Sequence, residues 1–195
     1  MNQLIKDAIK NKSISFSEFL SKAEEKVNSG EGIAPDLLGY TKLNIQRMKR
    51  ITKTYTLSEK LAEKIQSIDK EMIWLVITED WCGDSAQNLP YINRIAEFNE
   101  KIKLRILERD SNPEIMNMYL TSGARSIPKV ICFDETGREH FHWGARPKGA
   151  VELVRSMKEE GLEKEKMIEK LHLWYAKNKG EEIEGEFIKL IGNLL

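Results

Sequence analysis

The run Met72-Ile-Trp-Leu-Val-Ile77 constrains the chain more than any other segment. It has the length of a β-strand and charge on both sides. Its lack of alternation means that neither face is solvated. A strand buried on both faces needs helices above and below it, which is the architecture of α/β proteins.

The neighbouring segments supply those layers. Ala86, Leu89, Ile92, Ile95, Ala96 and Phe98 recur at helical spacing over 85–99, and Pro90 should kink that helix rather than end it. Lys103-Leu-Arg-Ile-Leu107 is the next strand, and Pro113 to Leu120 is a short helix capped by Asn112. Lys129-Val-Ile-Cys-Phe133 is a strand, and Asp134-Glu-Thr-Gly137 turns it into a hairpin partner over Arg138 to Trp143. A helix follows over 147–158. Alternating helices and strands predict a parallel sheet, to which the hairpin adds an antiparallel edge.

Both ends of the chain are helical. Residues 1–30 carry two apolar stripes, the second (Phe16, Phe19, Leu20, Ala23, Val27) capped by Ser15 or Ser17. Gly30 to Pro35 breaks the pattern, and 37–50 resumes it with the basic cluster Arg47, Lys49 and Arg50. Leu57, Leu61, Ile65 and Ile68 follow at helical spacing, capped by Ser58. Two more helices are expected over 162–178 and 181–194, with Met167, Leu171 and Trp174 on one face. The expected division is a helical extension over 1–50, a central domain over 51–158 and a second helical extension over 159–195.

Composition narrows the function. The chain has 31 basic and 31 acidic side chains, so no basic footprint for nucleic acid or an anionic membrane exists at the level of the whole chain. The first twenty residues lack the continuous apolar core of a signal peptide, and no later run reaches bilayer-spanning length. Two cysteines, Cys82 and Cys132, are too few for a disulfide scaffold. A cytoplasmic protein with free thiols is expected.

Chemistry concentrates at Trp81-Cys82-Gly83-Asp84-Ser85, between the buried strand and its helix. A cysteine at a helix N-terminus meets unpaired N–H groups and the positive end of the macrodipole, and both favour the nucleophilic thiolate. Ser126-Ile127-Pro128 precedes the Cys132 strand. A proline there costs no ladder bond, and the Ile127–Pro128 bond is a candidate cis peptide. A cis bond would turn the Ile127 backbone outward, where an extended peptide beside the thiol could pair with it.

These segments resemble the thioredoxin superfamily. Trp81-Cys82-Gly83 matches the start of its W-C-G-P-C motif, and Ile127-Pro128 its cis-proline loop. Gly144 matches a further family glycine, and Gly123 and Arg125 fall where its loop places glycine and a basic residue. The separation from Cys82 to Pro128, 46 residues, fits the family, and the resemblance covers roughly 55–158. Thr78 to Gln87 and Tyr40 to Arg50 resemble a bacterial thioredoxin-like group with aspartate after the glycine and no second cysteine. The resemblance implies a central mixed sheet flanked by helices. It also implies a substrate groove formed by Trp81, Gly83, Asp84, Ile127 and Pro128.

The departures matter as much as the matches. Ser85 stands where the family has its resolving cysteine, so a mixed disulfide at Cys82 cannot be released internally. Cys132 lies in a buried strand and is expected to be a core residue. The family's buried acid and lysine align with Val76 and Ile106, both apolar. Asp84 should raise the Cys82 pKa, Glu79 and Asp80 add negative charge, and Arg125 offsets part of it. With the dipole opposing, the expectation is a small net shift.

Three functions follow as alternatives. The first is a monothiol thiol–disulfide oxidoreductase with Cys82 as nucleophile, Ser85 as a hydroxyl aid and an external thiol to resolve the intermediate. Its partner would be a protein or small thiol or disulfide, with no cofactor. The second is a non-catalytic thioredoxin-fold module that binds protein, with Cys82 vestigial. The third is a glutathione-dependent iron–sulfur protein, since C-G-F-S is near Cys82-Gly-Asp-Ser85; Asp84 beside an anionic cluster argues against it. His140 and His142 share a strand face but lack a third metal ligand. The oligomeric state stays open between extensions packed on the central domain and a homodimer.

Overall fold

Residues 1–194 are described by the computed structural model. Four helices come first: α1 (Gln3–Lys12), α2 (Phe16–Ser29), α3 (Pro35–Thr54) and α4 (Glu59–Gln66). The centre alternates β1 (Met72–Thr78), α5 (Gly83–Glu97), β2 (Ile102–Glu108), α6 (Pro113–Met116), β3 (Lys129–Asp134) and β4 (Glu139–Trp143). Helices α7 (Lys148–Glu159), α8 (Lys164–Asn178) and α9 (Glu181–Gly192) complete it. This is an α/β thioredoxin-like fold.

The sheet order is β2-β1-β3-β4. Strand β1 pairs parallel with β2 and antiparallel with β3, and β3 pairs antiparallel with β4. The antiparallel half therefore begins one strand earlier than the expected hairpin edge. The cause lies in α6, expected to reach Leu120 but only four residues long. One turn of helix cannot carry the chain back along the sheet, as a parallel crossover requires. The chain thus enters β3 from the end at which it left β2, which brings Pro128 to the end of the sheet that carries Cys82.

The helix nonetheless begins where expected, after Asn112. The Asn112 side chain makes no cap bond and donates instead to the Glu108 carbonyl at 2.8 Å, a local competitor to helix formation. Other caps behave as the sequence indicates. Ser15 forms a reciprocal capping box with Glu18, and Ser58 caps α4. Helix α5 runs through Pro90.

Each face of the sheet is covered. Trp74, Val76, Ile106, Val130 and Cys132 pack under α2, α3, α4, α5 and α9. Leu75, Ile77, Leu107, Ile131 and Phe133 face α1 and α6. Residues 1–30 are not one helical stretch: Ile14 interrupts them with a two-bond bridge to Ile106. That bridge covers the outer edge of β2, which would otherwise present unpaired backbone.

Candidate functional site

Lys129 lies opposite Ile77 in the β1–β3 register, so the end of β1 and the start of β3 meet. Cys82 is the N-cap of α5. The Ile127–Pro128 peptide beside it is cis, and the Cys82 thiol donates to the Ile127 carbonyl at 3.5 Å. That carbonyl faces the sulfur, and Ile127 is buried, in contrast to the outward-turned backbone expected from the sequence. Gly144, at φ +116°, backs this loop, and a Cβ there would overlap the Pro128 carbonyl oxygen.

Cys82 is only 9% exposed. Burial pushes its pKa up and Asp84 pushes the same way, against hydrogen bonds from the Ser85 hydroxyl and the Ser85 and Asp84 backbone. The balanced shift expected from dipole and carboxylate alone is corrected upward, because desolvation enters first. Ser85 is buried and accepts a 2.6 Å hydrogen bond from Thr78 Oγ1, leaving its own hydroxyl hydrogen free for the sulfur.

The nearby cation is not the one the sequence suggested. Arg125 donates to Asn117 at 2.9 Å in the exposed loop. Arg146, just after β4, pairs with Asp84 at 2.5 Å. Tyr175 donates to the other Asp84 oxygen at 2.8 Å. Asn88 then binds both the Tyr175 hydroxyl, at 3.1 Å, and the Asp84 carbonyl, at 2.8 Å. Asp84 is therefore the hub of a network joining α5, the β4–α7 turn and α8.

Helix α8 also brings His172 against Gly83. Gln87 lies 3.3 Å from its Nδ1, which places the ring hydrogen of the neutral form on Nε2. Burial, with Arg47 next, lowers the His172 pKa to about 4, so the ring is neutral at pH 7. Opposite α8 stands α3. Between them opens a cleft of about 520 Å³, bordered by Trp81, Cys82, Gly83 and Asp84 below and by α3 and α8 residues on its sides. Ile127 and Pro128 do not border it. Trp81 is half-buried, with the Arg109 guanidinium 4.9 Å above its ring.

The acids before Trp81 have structural partners. Asp80 is buried, pairs with Lys26 at 2.8 Å and accepts from Thr41 at 3.1 Å. Glu79 accepts from the Asp110 N–H at 2.8 Å, and burial pushes its pKa up to about 7.

The other cysteine lies apart from this site. Cys132 is fully buried on the sheet face opposite the cluster that holds Cys82, and burial pushes its pKa to about 12. Val76 and Ile106 are buried partners in the β1–β2 register. His140 contacts Asp134 and His142 contacts Glu139, and among the described residues no group of three or more His, Cys, Asp or Glu is arranged to hold a metal. Of the basic cluster, Arg47 turns into the cleft, while Lys49 and Arg50 are exposed. Arg146, His172 and Tyr175 escaped the sequence reading. For His172 and Tyr175 the only signal was an apolar stripe on α8 that had to be buried somewhere; Arg146 had none.

A cysteine at a helix start beside a cis-proline, on this sheet, defines a thioredoxin-fold protein. A thioredoxin family model matches residues 33–158, and the chain belongs to that family. A protein of unknown function from Pseudomonas aeruginosa, solved at 1.5 Å, is similar over 95% of both chains, with TM-score 0.65 and 19% identity. An HIV epitope-scaffold is similar over 92% of this chain and 98% of its own, with TM-score 0.56 and 19% identity. Both likenesses extend beyond the family match into the terminal helices. No curated protein matches the chain.

Proposed function

We propose that the protein is a monothiol thiol–disulfide exchanger acting through Cys82. The observation that carries this reading is the disposition of sulfur: Cys82 borders an open cleft, Ser85 occupies the following turn, and Cys132 lies across the sheet. The Cys82 thiol loses its proton to solvent, and the thiolate attacks a disulfide, forming a mixed disulfide and expelling one thiolate, which takes up a proton. An external thiol then attacks the mixed disulfide, restoring Cys82 and leaving a new disulfide. Ser85 steadies the thiolate, Trp81, Gly83 and Asp84 border its approach, and Ile127 and Pro128 back the sulfur from outside the cleft. An unpaired working thiol suits a reducing compartment such as the cytoplasm, and among the described residues no helix is long and apolar enough to cross a membrane.

The test uses a Cys132→Ala background, a small disulfide and intact-mass detection. An adduct that needs Cys82 and is removed by added free thiol is expected. A folded protein that gains no adduct overturns the reading. The raised pKa of the buried thiol favours a second reading, a non-catalytic binding module. Under it, Cys82→Ser leaves ligand binding intact and no adduct forms.

A further inference from the structure

Resting on the exchange reading above, the geometry points to a substrate class: we infer that Cys82 serves a low-molecular-weight thiol or disulfide bearing a carboxylate, held in the cleft between α3 and α8. Size comes first. Cys82 is 9% exposed and sits at the floor of the cleft, which suits a molecule that can enter it better than a disulfide fixed on a folded protein surface. A cleft of about 520 Å³ matches a small molecule instead.

The walls specify the rest. Leu37 and Tyr40 line one side, and Ile168 and Leu171 the other, with Trp81 below. Tyr40 and Ile168 are exposed at the mouth, although both are large and apolar. This gives a carbon chain two apolar surfaces to lie between.

Charge then selects among small molecules. Arg47 is half-buried in the cleft, and its side-chain partner is the neutral Asn44 amide at 3.1 Å. Among the described residues no carboxylate pairs with it, whereas Arg146 pairs with Asp84. A half-buried guanidinium facing a neutral amide is matched by an incoming carboxylate, which it can grip through two parallel hydrogen bonds. Lys164 adds a second cation at the rim, opposed by the exposed Asp36. The arrangement anchors an anion on Arg47 and leaves the sulfur of the same molecule beside Cys82.

Chemically, one sulfur of the small disulfide bonds to Cys82 and the S–S bond breaks. The other half leaves as a thiolate and takes a proton from water, balancing the one that Cys82 gave up. A second copy of the small thiol reverses the step.

Three disulfides of similar length test this: dithiodipropionate (anionic), bis-hydroxyethyl disulfide (neutral) and cystamine (cationic). Their rates of mixed-disulfide formation with the Cys132→Ala protein are each divided by the rate with free cysteine. The anionic probe should lead the neutral one by about tenfold or more, the size of one charge-assisted hydrogen bond. Arg47→Gln should erase that lead without abolishing reaction with the neutral probe, and Lys164→Gln should trim it in a protein with an unaltered cleft floor. Equal normalised rates for all three, or a lead for cystamine, overturn the inference and leave thiol exchange standing. No adduct with any probe overturns both.

Discussion

The Tyr175 hydroxyl donates to the Asp84 carboxylate at 2.8 Å, across 91 residues of sequence. This bond fastens helix α8 to the first turn of α5, one residue past the glycine that follows Cys82. The same carboxylate holds Arg146. Both predictions about the thiol site start from this junction.

Tyr175→Phe removes the donor and keeps the ring. A hydrogen bond to a charged group contributes roughly 1.5–3 kcal/mol, and each kcal/mol moves the melting temperature of a chain this size by about 2–4 °C. Thermal unfolding should therefore show a fall of several degrees. Cys82 alkylation should quicken as α8 loosens over it, and a variant that melts like the parent and labels at the parental rate contradicts the tether.

Asp84→Asn removes the charge that, after burial, does most to hold the Cys82 pKa up. The alkylation midpoint should move to lower pH in a Cys132→Ala background. Stability should also fall, because Arg146 keeps its position and loses its counter-charge. A midpoint moving upward would mean that Arg146, freed from Asp84, no longer acts near the sulfur.

Glu79→Gln tests a different burial. The folded-state pKa of Glu79, about 7 against an ordinary 4.5, means that folding favours the protonated acid. That contribution is complete below about 4.5 and is lost as pH rises through about 7, a swing of roughly 3 kcal/mol. A neutral glutamine can keep the bond from Asp110 without paying for ionisation. Urea unfolding should show the variant more stable than the parent at pH 8 and similar at pH 4.5. A constant difference at both values contradicts the shift.

Gly144→Ala meets two obstacles. The residue sits at φ +116°, where a side chain is strained, and its Cβ would overlap the Pro128 carbonyl oxygen. A loss of about 3 kcal/mol or more in urea unfolding is expected. Gly161→Ala provides the contrast: it also has positive φ, but open space around it, so its loss should be about 1 kcal/mol.

What the sequence revealed divides along the range of the interactions. The strands, Ser15, Ser58 and the helix-starting Cys82 are set by local periodicity and capping, and these are visible residue by residue. Pro128 was legible because its signal, a proline entering a buried strand, is also local. The walls of the cleft were not. Leu171 and Trp174 announce that α8 must bury a face, but nothing in the stripe says that His172 will meet Gly83, 89 positions earlier. Arg125 was the nearer basic residue to the proline and therefore the natural counter-ion for Asp84. The short α6 and the antiparallel entry to β3 direct the chain so that Arg146 takes that place. Burial of the thiol, which decides the sign of its pKa shift, comes from a cluster shared with Ile77, Ile115, Met116 and Ile127, most of it distant in sequence.

The order in which the site is assembled has a consequence during synthesis. A ribosome extends the chain from its N-terminus, and domains fold as their residues emerge. When residue 158 emerges from the ribosomal exit tunnel, all four strands, Cys82 and Pro128 are free to fold, while α8 is still inside it. The nascent protein therefore holds its thiol before the α8 wall of the cleft is in place. Release of residues 164–178 closes that side. The cleft over Cys82 is in this sense finished last, and a chain cut short before α8 would keep Cys82 and lose one wall around it.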